Sequence, residues 1–184
     1  MRMNHTKSVL NILFLLVIIF SANKYAFGQL TEIENRIPKN APIKLEIKNQ
    51  DSEDWVSDLE FVVTNTGKKP IYFLGFSLLL DVKDDDGRTR GFYFDYGNKN
   101  LVSTESLAAG GDLPILPNRT YTFKIKKDSA RGWNLHENSE DFVAPRTAYI
   151  KLSWLSFGDG TGIKPGGTPY KKKSGRKYFQ LQLI

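Results

Sequence analysis

Cysteine is absent from the 184 residues. That absence excludes a disulfide, a zinc–thiolate site and a cysteine nucleophile. Histidine is nearly absent, with only His5 and His136 in the chain. A serine–histidine triad or a histidine general base therefore rests on His136 once His5 is removed with the leader described below. His136 sits in the polar stretch Asn134-Leu135-His136-Glu137-Asn138, with no nucleophile motif anywhere, and reads as a solvated loop residue. A transition-metal site built on two imidazoles is excluded as well. Long apolar runs are also missing. Ile12 to Phe20 is an unbroken apolar run, well short of the roughly 20 residues that a spanning helix requires.

What that run does form is the centre of an export signal. Arg2 and Lys7 give a positive start, and Ile12–Phe20 gives the apolar core. Ala26-Phe27-Gly28 then places small residues at −3 and −1, which predicts cleavage between Gly28 and Gln29. Lys24 so near the cleavage point is unusual, and an uncleaved N-terminal anchor is the alternative. With no cysteine there is no lipoprotein anchor. Removing 28 of the 184 residues leaves 156, enough for one domain that folds without covalent staples.

The leader also carries half of the formal net charge of +6, because Arg2, Lys7 and Lys24 are all basic and no acid accompanies them. The remaining +3 is ordinary for a soluble domain and does not point to nucleic acid. The apolar content of 40% and charged content of 25% are those of a globular chain rather than a disordered one.

Residues 29–41 read as a linker or a short helix. Thr31 and Glu34 have capping-box spacing, Leu30, Ile33 and Ile37 share a helical face, and Pro38 ends it. From Pro42 the hydrophobic period changes to two. Ile43, Leu45 and Ile47 alternate with Lys44, Glu46 and Lys48, and Leu59, Phe61 and Val63 alternate with Asp58, Glu60 and Thr64. Ile71 to Val82 is apolar on both parities, as a central strand covered on both faces would be. Asp84-Asp85-Asp86-Gly87 predicts a tight turn into a strand marked by Phe92 and Phe94. Later strands are predicted at Tyr121–Ile125, Ile150–Trp154 and Phe179–Leu183, with Asp128–Val143 irregular.

About seven strands at this spacing, with no long amphipathic segment to cross over between parallel strands, predict an all-β fold over residues 42–184. The architecture expected is an antiparallel two-sheet sandwich, with a small β-barrel as the alternative. Val63-Thr64-Asn65-Thr66-Gly67-Lys68-Lys69-Pro70-Ile71, the long apolar strand after it, the Asp84–Gly87 turn and Leu116-Pro117-Asn118 before Thr120-Tyr121-Thr122-Phe123 resemble the immunoglobulin-like modules of bacterial envelope proteins. Asn118 departs from that pattern, where glycine is common; asparagine also tolerates turn geometry. The resemblance implies an immunoglobulin-like sandwich and brings no catalytic residues, since such folds host many functions.

Candidate sites are few. Asp84 and Asp86 precede a glycine as in a calcium loop, but Val82 and Tyr93 occupy the first and last ligand positions, so a hairpin turn is favoured. Asp159 within Gly158–Gly162 invites either a cation or a glycine-rich turn. The acids show no pair spaced for glycoside hydrolysis. Trp154 falls on the apolar parity of its strand and reads as core; Trp55 reads as the cover of a sheet edge. Trp133, beside Arg131 and Gly132 in a polar stretch, could stack on a sugar ring or anchor a partner. Lys171-Lys172-Lys173 with Arg176 and Lys177 could contact anionic envelope polymers, or be a solvated loop that protects a sheet edge. Asn118-Arg119-Thr120 is a glycosylation sequon, relevant only to a source that glycosylates its secreted proteins.

The expectation from sequence is therefore an exported, non-enzymatic binding or structural module, secreted or periplasmic, without cofactor or metal. Its partner is an unidentified protein or glycan of the envelope, not nucleic acid, and no membrane span remains after cleavage. The alternative is a carbohydrate-active hydrolase or a calcium-stabilised carbohydrate-binding domain. N-terminal sequencing of the exported protein is expected to begin at Gln29; a chain that retains Met1 counts against the cleaved leader.

Overall fold

A computed structural model describes residues 30–103, 106–137, 139 and 142–172. The predicted leader with its Gly28/Gln29 junction, the last predicted strand (Phe179–Leu183), Lys173, Arg176 and Lys177 lie outside the described residues. Within them the chain is an all-β sandwich of two sheets, not closed into a barrel. Its strands are β1 (Glu32–Asn35), β2 (Ile43–Lys48), β3 (Glu60–Asn65), β4 (Phe73–Lys83), β5 (Thr89–Gly97), β6 (Thr120–Lys124), β7 (Thr147–Ser156), β8 (Thr161–Ile163) and β9 (Pro169–Lys171). Three short helices accompany them: α1 (Trp55–Asp58), α2 (Asn100–Ser103) and α3 (Lys127–Glu137).

The larger sheet has the order β5-β4-β7-β8-β9, and β1 pairs with β7 beside β8. The smaller sheet is β2-β3-β6 and is antiparallel throughout. Alternation along each strand decides what faces inward. Phe61 and Val63 of β3 and Leu74, Phe76, Leu78 and Leu80 of β4 are all buried in one core. Four phenylalanines join the sheets. Phe61 meets Phe76 edge-on at 5.5 Å, Phe76 stacks on Phe94 at 4.8 Å, and Phe123 meets Phe76 at 4.9 Å. Contacts of this geometry add about 0.5–1.5 kcal/mol each beyond the apolar area they bury.

A second aromatic group closes one end of the sandwich. Trp55 of α1 and Trp133 of α3 meet at 5.8 Å, and both approach Phe92 of β5. The Asp128–Val143 stretch, expected to be irregular, is therefore largely the helix α3. Its composition is a weak helix former, but Ala130 and Trp133 lie three apart on one face and dock into the core. Docking of an apolar face supplies more helix stability than propensity does.

The N-terminal segment reverses the other way. Residues 30–37 do not form a helix; Glu32–Asn35 is the strand β1, parallel to Thr147–Ile150. Because β8 covers only Leu155 and Ser156 of β7, the other half of that edge would leave its backbone groups without partners. Thr31 N–H donates to the Arg146 carbonyl at 2.9 Å and Arg36 N–H to the Ile150 carbonyl at 2.9 Å. The parallel pair needs no crossover helix because almost the whole domain separates its two strands. An eight-residue helix is marginal on its own, so ladder hydrogen bonds and the burial of Leu30 decide the outcome.

The turn motifs behave as read. Asp84 N–H donates to the Arg88 carbonyl at 2.8 Å, and the Asp84 carboxylate accepts Arg88 N–H at 2.7 Å. Gly87 has φ 75°, so the acidic run is the β4–β5 hairpin turn. Asn118 has φ 60°, the left-handed conformation that glycine usually supplies. The Asn65 side chain is wholly buried and fully bonded. Its amide N–H groups donate to the carbonyls of Lys69 and Ile115 at 2.9 Å each, and its Oδ1 accepts Gly67 N–H at 2.9 Å. Asn65→Ala removes these three hydrogen bonds, one of them to a buried carbonyl and two part-buried, and is expected to cost about 3 kcal/mol, which lowers Tm by roughly 6–12 °C in a domain of this size. Asn65→Asp restores only the acceptor and should fail similarly, whereas Thr66→Ala on the exposed side should change little. Thermal melts followed by circular dichroism check all three; an unaltered Tm in Asn65→Ala removes this role.

Candidate functional site

The outer face of the larger sheet carries the side chains that the core does not use. Cross-strand register sets them in rows: Asp95 (β5), Gly75 (β4) and Trp154 (β7) lie side by side, and Tyr93, Ser77 and Lys151 form the next row. Trp154 belongs here because of a bulge. One step on β4, from Gly75 to Phe76, spans two residues on β7, from Trp154 to Leu152. Ser153 is the extra residue, and it turns Trp154 away from the core while Leu152 and Leu155 stay buried. The reading of Trp154 as core is thus corrected: a strict period of two does not pass through a bulge.

Tyr93, Asp95, Ser153 and Trp154 line a hollow of about 380 Å³ together with Phe73, Phe76, Lys99 and Val102. Tyr93, Trp154 and Phe73 supply aromatic surface; Asp95, Lys99 and Ser153 supply polar groups. Tyr93 is 70% exposed. Trp154 is held from behind, with Tyr170 of β9 edge-on at 5.7 Å and the Lys164 ammonium 5.8 Å from its ring centre. Burial pushes the Tyr170 phenol above its ordinary pKa, so it stays neutral beside the indole across the usual pH range. Gly75 makes room in the floor: a Cβ there would stand 2.9 Å from Asp95 Oδ1 and 3.3 Å from the Phe73 ring.

The wall that contains Lys99 is tied down. Asn98 Nδ2 donates to Asp112 Oδ1 at 3.1 Å, and Ala109 N–H donates to Asp112 Oδ2 at 2.9 Å. Ser156 Oγ donates to the Leu101 carbonyl at 3.4 Å, holding α2 against β7. Ser77 and Ser153 share a hydrogen bond at 3.4 Å. The carboxylate of Asp95 and the ammonium of Lys99 have no hydrogen-bond or ion-pair partner among the described residues, so the hollow presents both charges ready for a ligand.

The residues singled out by sequence lie elsewhere. Trp133 is 8% exposed and sits on a helix, which corrects its reading as an open loop aromatic. Its ring is used by Trp55, Phe92 and Phe142, the last at 5.7 Å. His136 follows on the same helix, half-buried against Trp133 and Phe142 at 6.3 and 5.5 Å rather than solvated in a loop. Arg131 is exposed and borders a separate hollow with Ser57, Ile125 and Leu135 between α1 and α3. Lys171 lies on the edge strand β9, and the Lys172 ammonium donates to the Ser106 carbonyl at 2.9 Å. Among the described residues, Trp133, Arg131, Lys171 and Lys172 do not line one hollow. The outer-face residues were missed because no local motif marks them; the signal available was the pair Gly75 and Trp154 inside otherwise apolar strands.

Asp159 is an acid of the β7–β8 turn. It accepts Lys69 Nζ at 2.6 Å and Thr161 N–H at 2.9 Å, which ties this turn to the one after β3. Partial burial raises its pKa, but the hydrogen bonds from Lys69 and Thr161 outweigh that and hold it at about 2. Among the described residues no three of histidine, aspartate and glutamate gather in metal-binding reach, and no helix is long and apolar enough to cross a membrane. Comparison of the chain with protein-family models, with curated proteins and with solved structures gives no match.

A depressed carboxylate stabilises the fold above its unfolded pKa, near 3.9, and that contribution is lost as pH falls through the folded value of about 2. The pair is half-exposed and screened, so it is worth about 1 kcal/mol at most. Asp159→Asn is expected to lower Tm by up to about 4 °C at pH 7 in low salt, with the deficit shrinking below pH 4. A deficit unchanged between pH 7 and pH 2 rules out the ionic origin.

Proposed function

We propose that the protein is an exported, non-enzymatic binding module whose ligand is a glycan of the envelope or extracellular space, held on the outer face of the larger sheet. The observation that carries this reading is the 380 Å³ hollow: aromatic surface from Tyr93 and Trp154 around an unpartnered carboxylate and ammonium. A sugar ring offers apolar C–H faces and a rim of hydroxyls. Aromatic rings take up the first, and a carboxylate, an ammonium and a hydroxyl pair take up the second. Ligand sites of this size are apolar with a few placed polar groups.

Binding is favoured over hydrolysis by the same lining. Asp95 is the one acid among the described residues around the hollow, whereas glycoside cleavage uses two carboxylates facing each other across the bond. The export signal and the resemblance to bacterial immunoglobulin-like envelope modules are consistent with a ligand outside the cytoplasm.

Titration of the protein with a panel of oligosaccharides, followed by calorimetry and tryptophan fluorescence, tests the reading. Trp154→Ala is expected to weaken binding at least tenfold, about 1.4 kcal/mol, with the fold intact because Trp154 lies outside the core. Gly75→Ala, which crowds Asp95, should weaken it similarly. Absence of binding across the panel, or turnover abolished by Asp95→Asn, overturns it.

A further inference from the structure

A second hollow, of about 430 Å³, opens where β5 meets α3, and its lining includes Arg88, Arg90, Tyr93, Trp133 and His136. Arg90 is the unusual member. It is half-buried at the inner side of β5, and its Nε is buried without a hydrogen-bond partner. Among the described residues its guanidinium has no ion pair either. A guanidinium stays charged at any working pH, and a buried N–H without an acceptor is rare in folded proteins and calls for an explanation.

The neighbouring charges are already used. The Arg88 guanidinium pairs with Asp86 at 3.6 Å. Asp84 borders the hollow, and its carboxylate accepts the Arg88 backbone N–H in the hairpin turn. Arg90 thus remains as one cation without an ion pair among the described residues; its Nε is closed to solvent, which leaves the two terminal amino groups to face a ligand in the hollow. That pair of donors matches the two oxygens of a carboxylate, and one surplus charge suits a monoanion better than a phosphate dianion. The position of Tyr93 connects this hollow to the first, because its side chain lines both. Arg90 and Tyr93 are three residues apart on β5, roughly 10 Å along the strand, and point to opposite faces; β5 ends the sheet among the described residues, so the route from one hollow to the other passes over its edge.

From this juxtaposition we infer that the glycan is a carboxylated one: a sugar ring sits in the outer-face hollow while the carboxylate of a further unit of the same chain, carried over the edge of β5 beside Tyr93, pairs with Arg90. The inference rests on the glycan-binding reading and adds the charge of the ligand to it. Arg90 is then the residue that distinguishes acidic from neutral polymers of the same ring.

The full chain is titrated by calorimetry with oligogalacturonate, with its methyl ester and with a sulfated neutral oligosaccharide of equal length. The wild-type protein should bind the free acid at least tenfold more tightly than the ester. Arg90→Gln should abolish that preference while keeping its affinity for the ester, and Arg90→Lys should restore part of it. Because the Arg90 Nε has no partner to lose, Arg90→Gln should melt within a few degrees of wild type, which separates a binding role from a structural one. Equal affinity for acid and ester, or a preference that survives in Arg90→Gln, overturns the inference and leaves the glycan reading standing. Tighter binding of the sulfated chain overturns the carboxylate assignment. Failure of all three ligands to bind overturns both readings together.

Discussion

The buried amide of Asn65 is the constraint on which the two sheets depend. β3 belongs to the smaller sheet and β4 to the larger, so the chain must leave one layer and enter the other within a few residues. That crossing takes backbone carbonyls out of the strand ladders, and the Ile115 carbonyl is buried where it needs a donor. Asn65 supplies two donors and one acceptor from a single side chain, at Lys69, Ile115 and Gly67. Ile115 also bridges Ile71, and Asn118 N–H donates to the Asn65 carbonyl at 2.8 Å. The crossing from β3 and the approach to β6 are thereby held as one unit.

From that anchor the aromatic core follows. With β3 and β4 fixed in separate layers, Phe61 and Phe76 face each other, and Phe94 and Phe123 close around them. Inward parity is spent on the core, which leaves the opposite parity of β4, β5 and β7 to the outer surface. At that surface the glycine at 75 and the bulge at Ser153 work together. One empties the floor of the hollow and the other turns an indole toward it. Features that weaken a strand locally are placed where a ligand could approach the sheet.

Much of the fold was legible in residue order. Alternation at Ile43–Ile47, Leu59–Val63 and Tyr121–Phe123 reports one wet and one dry face, and β2, β3 and β6 lie on those residues. Apolar residues on both parities of Ile71–Val82 report a central strand, and β4 lies between β5 and β7. Local reading failed where a distant partner decided the conformation. Leu30, Ile33 and Ile37 have helical spacing, yet an unfilled edge of β7, more than a hundred residues away, takes Glu32–Asn35 as a strand. Trp133 stands among polar neighbours, yet Trp55 and Phe92 draw it inward and with it the helix that carries it.

By itself the amino-acid order excluded cysteine chemistry and determined two-faced strands and the turn residues between them, because those properties depend on composition and on neighbours a few residues apart. Only the tertiary structure decided which aromatics are buried, which edge accepts β1 and where unpartnered charge is left. Trp133 and Trp154 exchange their expected places for that reason. Burial depends on what packs from across the molecule, and a bulge or an open sheet edge is a property of two strands, not one.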